Sequence, residues 1–199
     1  MNGLPLLPPK RIARHIAVAI GAVLLLPSPA SADSQKSART EVTLQGQIAQ
    51  VRSRIEAPAS IDVCYGVLAD FDRLAEFIPD MQSSTIVSLP GDPLLLRQVG
   101  QTSTAFLTFA FDVTLAVTVD PPHEIAFSRV AGNLEQMQGQ WQISGDASHC
   151  AIDYRADIKP AFWVPPLIGP VIMRRQVEGQ IRGLRAEIKR RSGQAPETP

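Results

Sequence analysis

The sequence predicts an α+β fold in which one curved antiparallel sheet is covered on a single face by a long C-terminal helix, and three observations predict it. From Ser83 to Lys159 the apolar side chains recur with a period of two, the signature of strands with one buried and one solvated face. Met173, Val177, Ile181, Leu184 and Ile188 then fall four, four, three and four apart, which confines them to one side of a helix. Charged side chains in the strands occupy the face opposite the apolar set, Arg129 excepted, so the greasy face needs a cover. The last helix is the long amphipathic element left to supply it.

The first segment reads as an export signal. Lys10, Arg11 and Arg14 precede an eleven-residue apolar run, Ile16 to Leu26, and Ala30-Ser31-Ala32 offers a small-residue cleavage site, so residues 1–32 are expected to be a signal peptide cut after Ala32. An uncleaved anchor is the alternative, although the run is short for a membrane span. The chain carries 19 basic and 19 acidic side chains, and residues 1–32 hold three of the basic and none of the acidic, so the remainder is mildly acidic. No basic surface interleaved with aromatic residues is left to bind nucleic acid. Residues 33–40 and 192–199 are polar and turn-rich, expected as a linker and a tail around a single domain over 41–191.

Within that domain Glu41 to Ala57 alternates as a strand, with Val51, Ser53 and Ile55 on one face. Val42, Leu44 and Ile48 fall in the opposite phase, which predicts a bulge between Gly46 and Gln50. Ser60 is placed to cap a helix bearing Ile61, Cys64, Val67, Leu68 and Phe71 on one side, and a second short helix, Asp72 to Ile78, should stop at Pro79. Strands Thr85–Leu89 and Leu94–Gln101 flank the turn Pro90-Gly91-Asp92-Pro93. Leu107, Phe109, Phe111, Val113, Leu115, Val117 and Val119 give the strongest alternation in the chain. Pro121-Pro122 leads to a strand with Ile125 and Phe127, and Ala131-Gly132-Asn133 to one in which Met137, Gly139, Trp141 and Ile143 oppose four glutamines. Gly145-Asp146 turns into the last strand, Cys150 to Ile158. Pro170 suits the first position of a helix that runs to Arg191, roughly 30 Å long. About seven strands, two short helices after the first of them and a closing helix make a helix-grip arrangement.

Several stretches in this frame resemble the START-like polyketide cyclase/dehydrase and coenzyme Q-binding superfamily (SRPBCC). They are Phe71-Asp72-Arg73-Leu74-Ala75-Glu76-Phe77-Ile78-Pro79, Pro121-Pro122-His123-Glu124-Ile125-Ala126-Phe127, and Gly132 leading to Gly139-Gln140-Trp141-Gln142-Ile143. Tyr154, then Pro160 with Trp163-Val164-Pro165-Pro166, completes the set before the closing helix. The resemblance implies an apolar ligand, such as a lipid, an isoprenoid quinone or a polyketide, enclosed between sheet and final helix. It implies no catalytic set, because the superfamily has none in common.

Strand parity points Phe109, Phe111, Val113, Phe127, Met137, Trp141 and Tyr154 inward, facing Met173, Val177 and Ile181. These side chains either fill a solid core or line a cavity, and the resemblance favours the cavity, with Trp163 and its neighbours Phe162, Pro165 and Pro166 as a lip or a stiff connector. Such a lining, with Tyr154 O–H and Trp141 N–H among its few polar points, suits a hydrophobic guest rather than a sugar or phosphate. His123 and His149 sit at turns beside no second ligand, so no metal site is expected, and neither a Gly-x-Ser-x-Gly turn nor a phosphate loop occurs. Asp70 and Asp72 read as helix caps. Cys64 and Cys150 both point inward near where the first and last strands pair, either as a disulfide or as two buried thiols. Arg174-Arg175 and Lys189-Arg190-Arg191 read as a solvated helix face or as a transient contact with anionic headgroups at a membrane surface.

The functional expectation is an exported binding or carrier protein for a hydrophobic small molecule, without cofactor. The alternatives are a cyclase/dehydrase or hydrolase using Tyr65, Asp70, Tyr154 or His123 as acid or base, and a pocketless interaction module.

Overall fold

The computed structural model describes residues 38–103, 108–161, 164 and 169–193. Its elements are β1 (Ala38–Gln45), β2 (Ile48–Ala57), α1 (Ile61–Leu68), a 3-10 turn (Phe71–Arg73), α2 (Leu74–Phe77), β3 (Met81–Ile86), β4 (Leu95–Ser103), β5 (Thr108–Asp120), β6 (Glu124–Gly132), β7 (Leu134–Gly145), β8 (Cys150–Pro160) and α3 (Gly169–Arg191). The strands form one open antiparallel sheet in the order β1-β2-β8-β7-β6-β5-β4-β3.

The sheet has eight strands where about seven were expected, because the phase change near Gly46 is a hairpin and not a bulge. Gln45 pairs with Ile48 across Gly46-Gln47, and the chain reverses there with Gly46 at φ +60°, a conformation in which a glycine has no Cβ to clash. Reversal rather than insertion is what swaps the phase of Val42 and Val51, which now face each other across the strands. The same hairpin carries β1 back to Ala38, so three residues expected in the linker are strand. β3 also lies earlier than Thr85–Leu89. Its ladder with β4 runs from Met81 to Ile86, while Val87 and Leu89 are exposed, so those apolar residues belong to the turn and not to a buried strand face.

The expected cap of the first helix holds, whereas the second helix is shorter than the expected Asp72 to Ile78. Ser60 Oγ accepts from Val63 N at 3.3 Å and caps α1. The second helix is a 3-10 turn followed by a single α-turn, and Ile78 is already extended ahead of Pro79. Neither Asp70 nor Asp72 caps it. Asp72 accepts from Ile86 N at 2.8 Å and ties the turn to β3, while Asp70 is ion-paired with Arg191 of α3 at 2.6 Å.

α3 lies against β1, β2, α1 and α2. At Gly183 a side chain would collide with the backbone carbonyl of Phe77 and with Pro79, so the glycine is what lets the helix sit down on the end of α2. Around this end the core is filled: Val51, Ile55, Cys64, Val67, Cys150, Ile152, Leu184 and Ile188 are all at or below 1% exposure. Each large apolar side chain so buried contributes about 1.5–3 kcal/mol. β2 pairs with β8, which brings Cys150 beside α1, and Cys64 and Cys150 are joined in a disulfide with Cα atoms 6.7 Å apart.

A two-chambered hollow under the closing helix

Between the middle strands and α3 the interior is not filled. An inner chamber of about 150 Å³ has its floor on β4 to β8, with Leu96, Leu115, Val117, Ile125, Phe127, Met137, Trp141 and Tyr154. Its roof is Met173, Gln176, Val177, Gln180 and Leu184 of α3, and its end wall comes from Leu68, Phe71, Leu74 and Ile78. An outer chamber of about 360 Å³ lies toward the N-terminal end of α3, between the β1–β2 hairpin at Leu44 to Ala49, Phe109 and Ala110 of β5, and Gly169 to Met173. Phe111, Leu134, Ile158, Met173 and Gln176 line both chambers and form the partition between them.

Two glycines shape the floor. A side chain at Gly100 would strike the Phe111 ring, and one at Gly139 the Phe127 ring, so each aromatic side chain lies across a glycine on the neighbouring strand to which it is paired. A flat ring over a bare backbone leaves depth above it that a second side chain would take up. Beside them Tyr154 stacks on Trp141 with centroids 4.0 Å apart and lies 6.3 Å from Phe127. This aromatic ladder follows from the register, since Trp141 pairs with Tyr154 and Phe127 with Gly139.

Of the inward set read from parity, the structure brings Phe111, Phe127, Met137, Trp141, Tyr154, Met173 and Val177 to the inner chamber and Phe109 to the outer one. Val113 and Ile181 line neither chamber and are packed in the core. Trp163 lies outside the described residues, as do Leu107, Phe162, Pro165 and Pro166. Sequence reasoning missed Gln98, Gln176 and Gln180. The two on α3 stand one turn apart on the flank of the apolar stripe, where polar residues were assigned to solvent.

Among the described residues no charged side chain lines the inner chamber. Among the described residues Glu135 is the charged group lining the outer one, and Lys159 pairs with it at 2.6 Å. Burial pushes the Tyr154 hydroxyl well above the ordinary phenol range, so it stays protonated. The acid and base candidates do not gather here. His123 and His149 are exposed at turns, Asp70 is bound to Arg191, Tyr65 sits half-buried on α1, and Tyr154 alone of the set lines the chamber. Among the described residues no group of three or more His, Cys, Asp or Glu side chains could hold a metal ion.

The cations at the end of α3 are not simply solvated. Arg190 and Arg191 both bond Glu187, at 2.7 and 2.6 Å, and Arg191 continues to Asp70 and sits 5.8 Å over the Phe77 ring. The hydrogen bond from Arg190, with help from Arg191, holds the Glu187 carboxyl down to about 2 against the opposing effect of burial. This network clamps α3 to the loop after α1.

Comparison with known proteins matches this geometry. The fold is similar to the Zhui aromatase/cyclase of Streptomyces sp. R1128 (17% identity, 72% of this chain and 95% of that one, TM-score 0.58). It is similar also to a START superfamily protein of Mycobacterium smegmatis (15% identity, 71% and 97%, TM-score 0.61). A STAR-related lipid transfer protein of Xanthomonas axonopodis matches at 13% identity over 75% of this chain and 98% of that one, with TM-score 0.56. No curated protein matches the sequence. Residues 57–185, from the end of β2 to the middle of α3, match the family described as polyketide cyclase / dehydrase and lipid transport, and the chain belongs to that family.

Proposed function

We propose that the protein is an exported carrier that binds one hydrophobic small molecule, of lipid, isoprenoid or polyketide-like character, in the hollow beneath α3. The observation that carries the reading is a cavity retained beside a core packed to closure. Interiors normally close up to a density at which unfilled space is small and destabilising, so apolar room of this size needs an occupant to justify it. Family and fold support a hydrophobic ligand-binding or cyclase-like protein. The scattering of acid and base candidates favours binding over chemistry.

Export is supported by the basic, apolar and Ala-x-Ala succession of residues 10–32 and by the Cys64–Cys150 bridge, since such cross-links persist in oxidising compartments. Arg174 and Arg175, exposed on the N-terminal half of α3, are the cations we assign to a transient membrane contact during loading, because Arg190 and Arg191 are engaged by Glu187. Native mass spectrometry and solvent extraction of the protein purified from its own cells should reveal one bound apolar compound. Repeated absence of any such compound, together with no binding to a panel of lipids, would overturn the reading.

A further inference from the structure

We infer that the outer face of the sheet carries an anion site, formed by Arg52 and Arg155, that takes a phosphate monoester. The site lies on the far side of the sheet from the hollow and stands or falls independently of it. Arg52 of β2 and Arg155 of β8 are cross-strand partners, both exposed, on the face opposite the buried Val51, Ser53, Tyr154 and Ala156. Directly opposed residues on neighbouring strands hold their Cβ atoms about 4.5–5.5 Å apart, and like charges so placed repel. Neither guanidinium bonds or pairs with any described residue. The other arginines of this face are all paired: Arg39 with Glu41, Arg54 with Glu56 and Asp153, and Arg97 with Asp112. Acids stand near the unpaired couple and are turned away from it. Glu41 is opposite Arg52 on β1 but bonds Arg39 at 2.6 Å, Asp153 bonds Arg54 at 2.8 Å, and Asp157 bonds neither arginine of the couple.

The row continues onto a third strand. Gln140 of β7 stands opposite Arg155, and its side-chain amide bonds no described residue, so it offers a neutral donor beside the two cations. Each guanidinium presents its N–H groups as a planar fork that matches the spacing of oxyanion oxygens. Two facing unit charges are offset by a doubly charged guest, and a phosphate monoester carries about −1.5 to −2 near pH 7, with oxygens enough for both forks and the amide. A carboxylate or a phosphodiester brings a single charge and leaves one cation uncompensated. The backbones of all three residues are fixed by the ladders β2–β8 and β8–β7, so only side chains need ordering when the anion arrives.

The test titrates the full chain with ethyl phosphate, followed by phosphorus NMR at neutral pH and low salt in a phosphate-free buffer. Arg52→Gln and Arg155→Gln should each weaken binding at least ~10-fold, the worth of one charge-assisted contact. Arg54→Gln removes a guanidinium already held by Glu56 and Asp153, and should change binding less than about twofold. Diethyl phosphate, with its single charge, should bind at least ~10-fold more weakly than the monoester. Thermal unfolding gives a second readout. Without phosphate, Arg155→Gln should unfold at a higher temperature than the unmutated protein, because the repulsion is gone, and ethyl phosphate should raise the midpoint of the unmutated protein alone. Vesicles containing phosphatidic acid, a lipid monoester, then separate the sources of the group: co-sedimentation that both arginine variants lose assigns the site to a lipid headgroup, and vesicles ignored while ethyl phosphate binds assign it to a soluble phosphate. No binding of ethyl phosphate, equal weakening by Arg54→Gln, a diester bound as tightly as the monoester, or an unfolding midpoint that ethyl phosphate does not move would each overturn the inference.

Discussion

The two ends of α3 are held in opposite ways. At the C-terminal end Gly183 rests against the backbone of Phe77, Ile188 and Leu184 are 1% exposed, and Glu187, Arg190, Arg191 and Asp70 form a charged clamp beside the Cys64–Cys150 bridge. At the N-terminal end Val171 is 65% exposed, Met173 and Gln176 face open space, and the outer chamber lies beneath Gly169 and Pro170. One helix therefore serves as anchor at one end and roof at the other. The carrier proposed above would need both: cooperative packing to keep the sheet folded, and a roof whose opening does not unfold it.

The contrast can be broken first at the bridge. It closes a segment with a sequence separation of 86, and replacing both cysteines by serine should lower stability by about 4–5 kcal/mol on the loop-entropy account. Urea unfolding of the variant against the oxidised protein measures this; a loss under about 1 kcal/mol would mean the anchored end is held by packing alone.

The clamp can be broken by pH, and the sign of the effect is set by the carboxyl. Glu187 titrates at about 2 in the folded chain against an ordinary 4.5, so its contribution is complete above the ordinary value and is lost as pH falls toward 2. Allowing for the water around Arg190, this should remove about 2–3 kcal/mol between pH 5 and pH 2. Glu187→Gln should flatten that part of the stability profile and be less stable at pH 7. A profile unchanged by the substitution would show that the clamp is not a clamp.

A pair of truncations compares the ends directly. Ile188→Ala removes a side chain from the closed core and should destabilise by about 3 kcal/mol, within the usual range for such cavities. Met173→Ala shortens a half-buried side chain that already borders empty space and should change stability by less than about 1.5 kcal/mol. Equal losses in thermal or urea unfolding would erase the distinction between anchor and roof.

How far these features could be read from residues differs between the same two regions. Strand parity through Phe111, Phe127, Trp141 and Tyr154 located the floor, because a period of two leaves one choice of face once the apolar set is known. The 3.6 period placed Met173 and Val177 on the roof for the same reason. Parity says which way a side chain points and not whether another meets it, so Val113 and Ile181 had the same sequence signal as the lining residues and yet lie in the core. The clamp was hidden because Arg191 and Asp70 are 121 positions apart, and a charge run reads as a solvated face until a distant carboxylate is brought to it. The hairpin at Gly46 was legible only as a change of phase, which a bulge and a reversal both produce.

The most direct measurement of the central claim is saturable binding of a neutral fluorescent apolar probe, N-phenyl-naphthylamine, to the unmutated protein and to Met173→Trp, which fills the partition between the chambers. The account predicts one-to-one binding that falls at least ~10-fold in the variant, a change of about 1.4 kcal/mol, while the cooperative unfolding transition is kept. Equal binding by the two proteins, or none by the unmutated one, would contradict it.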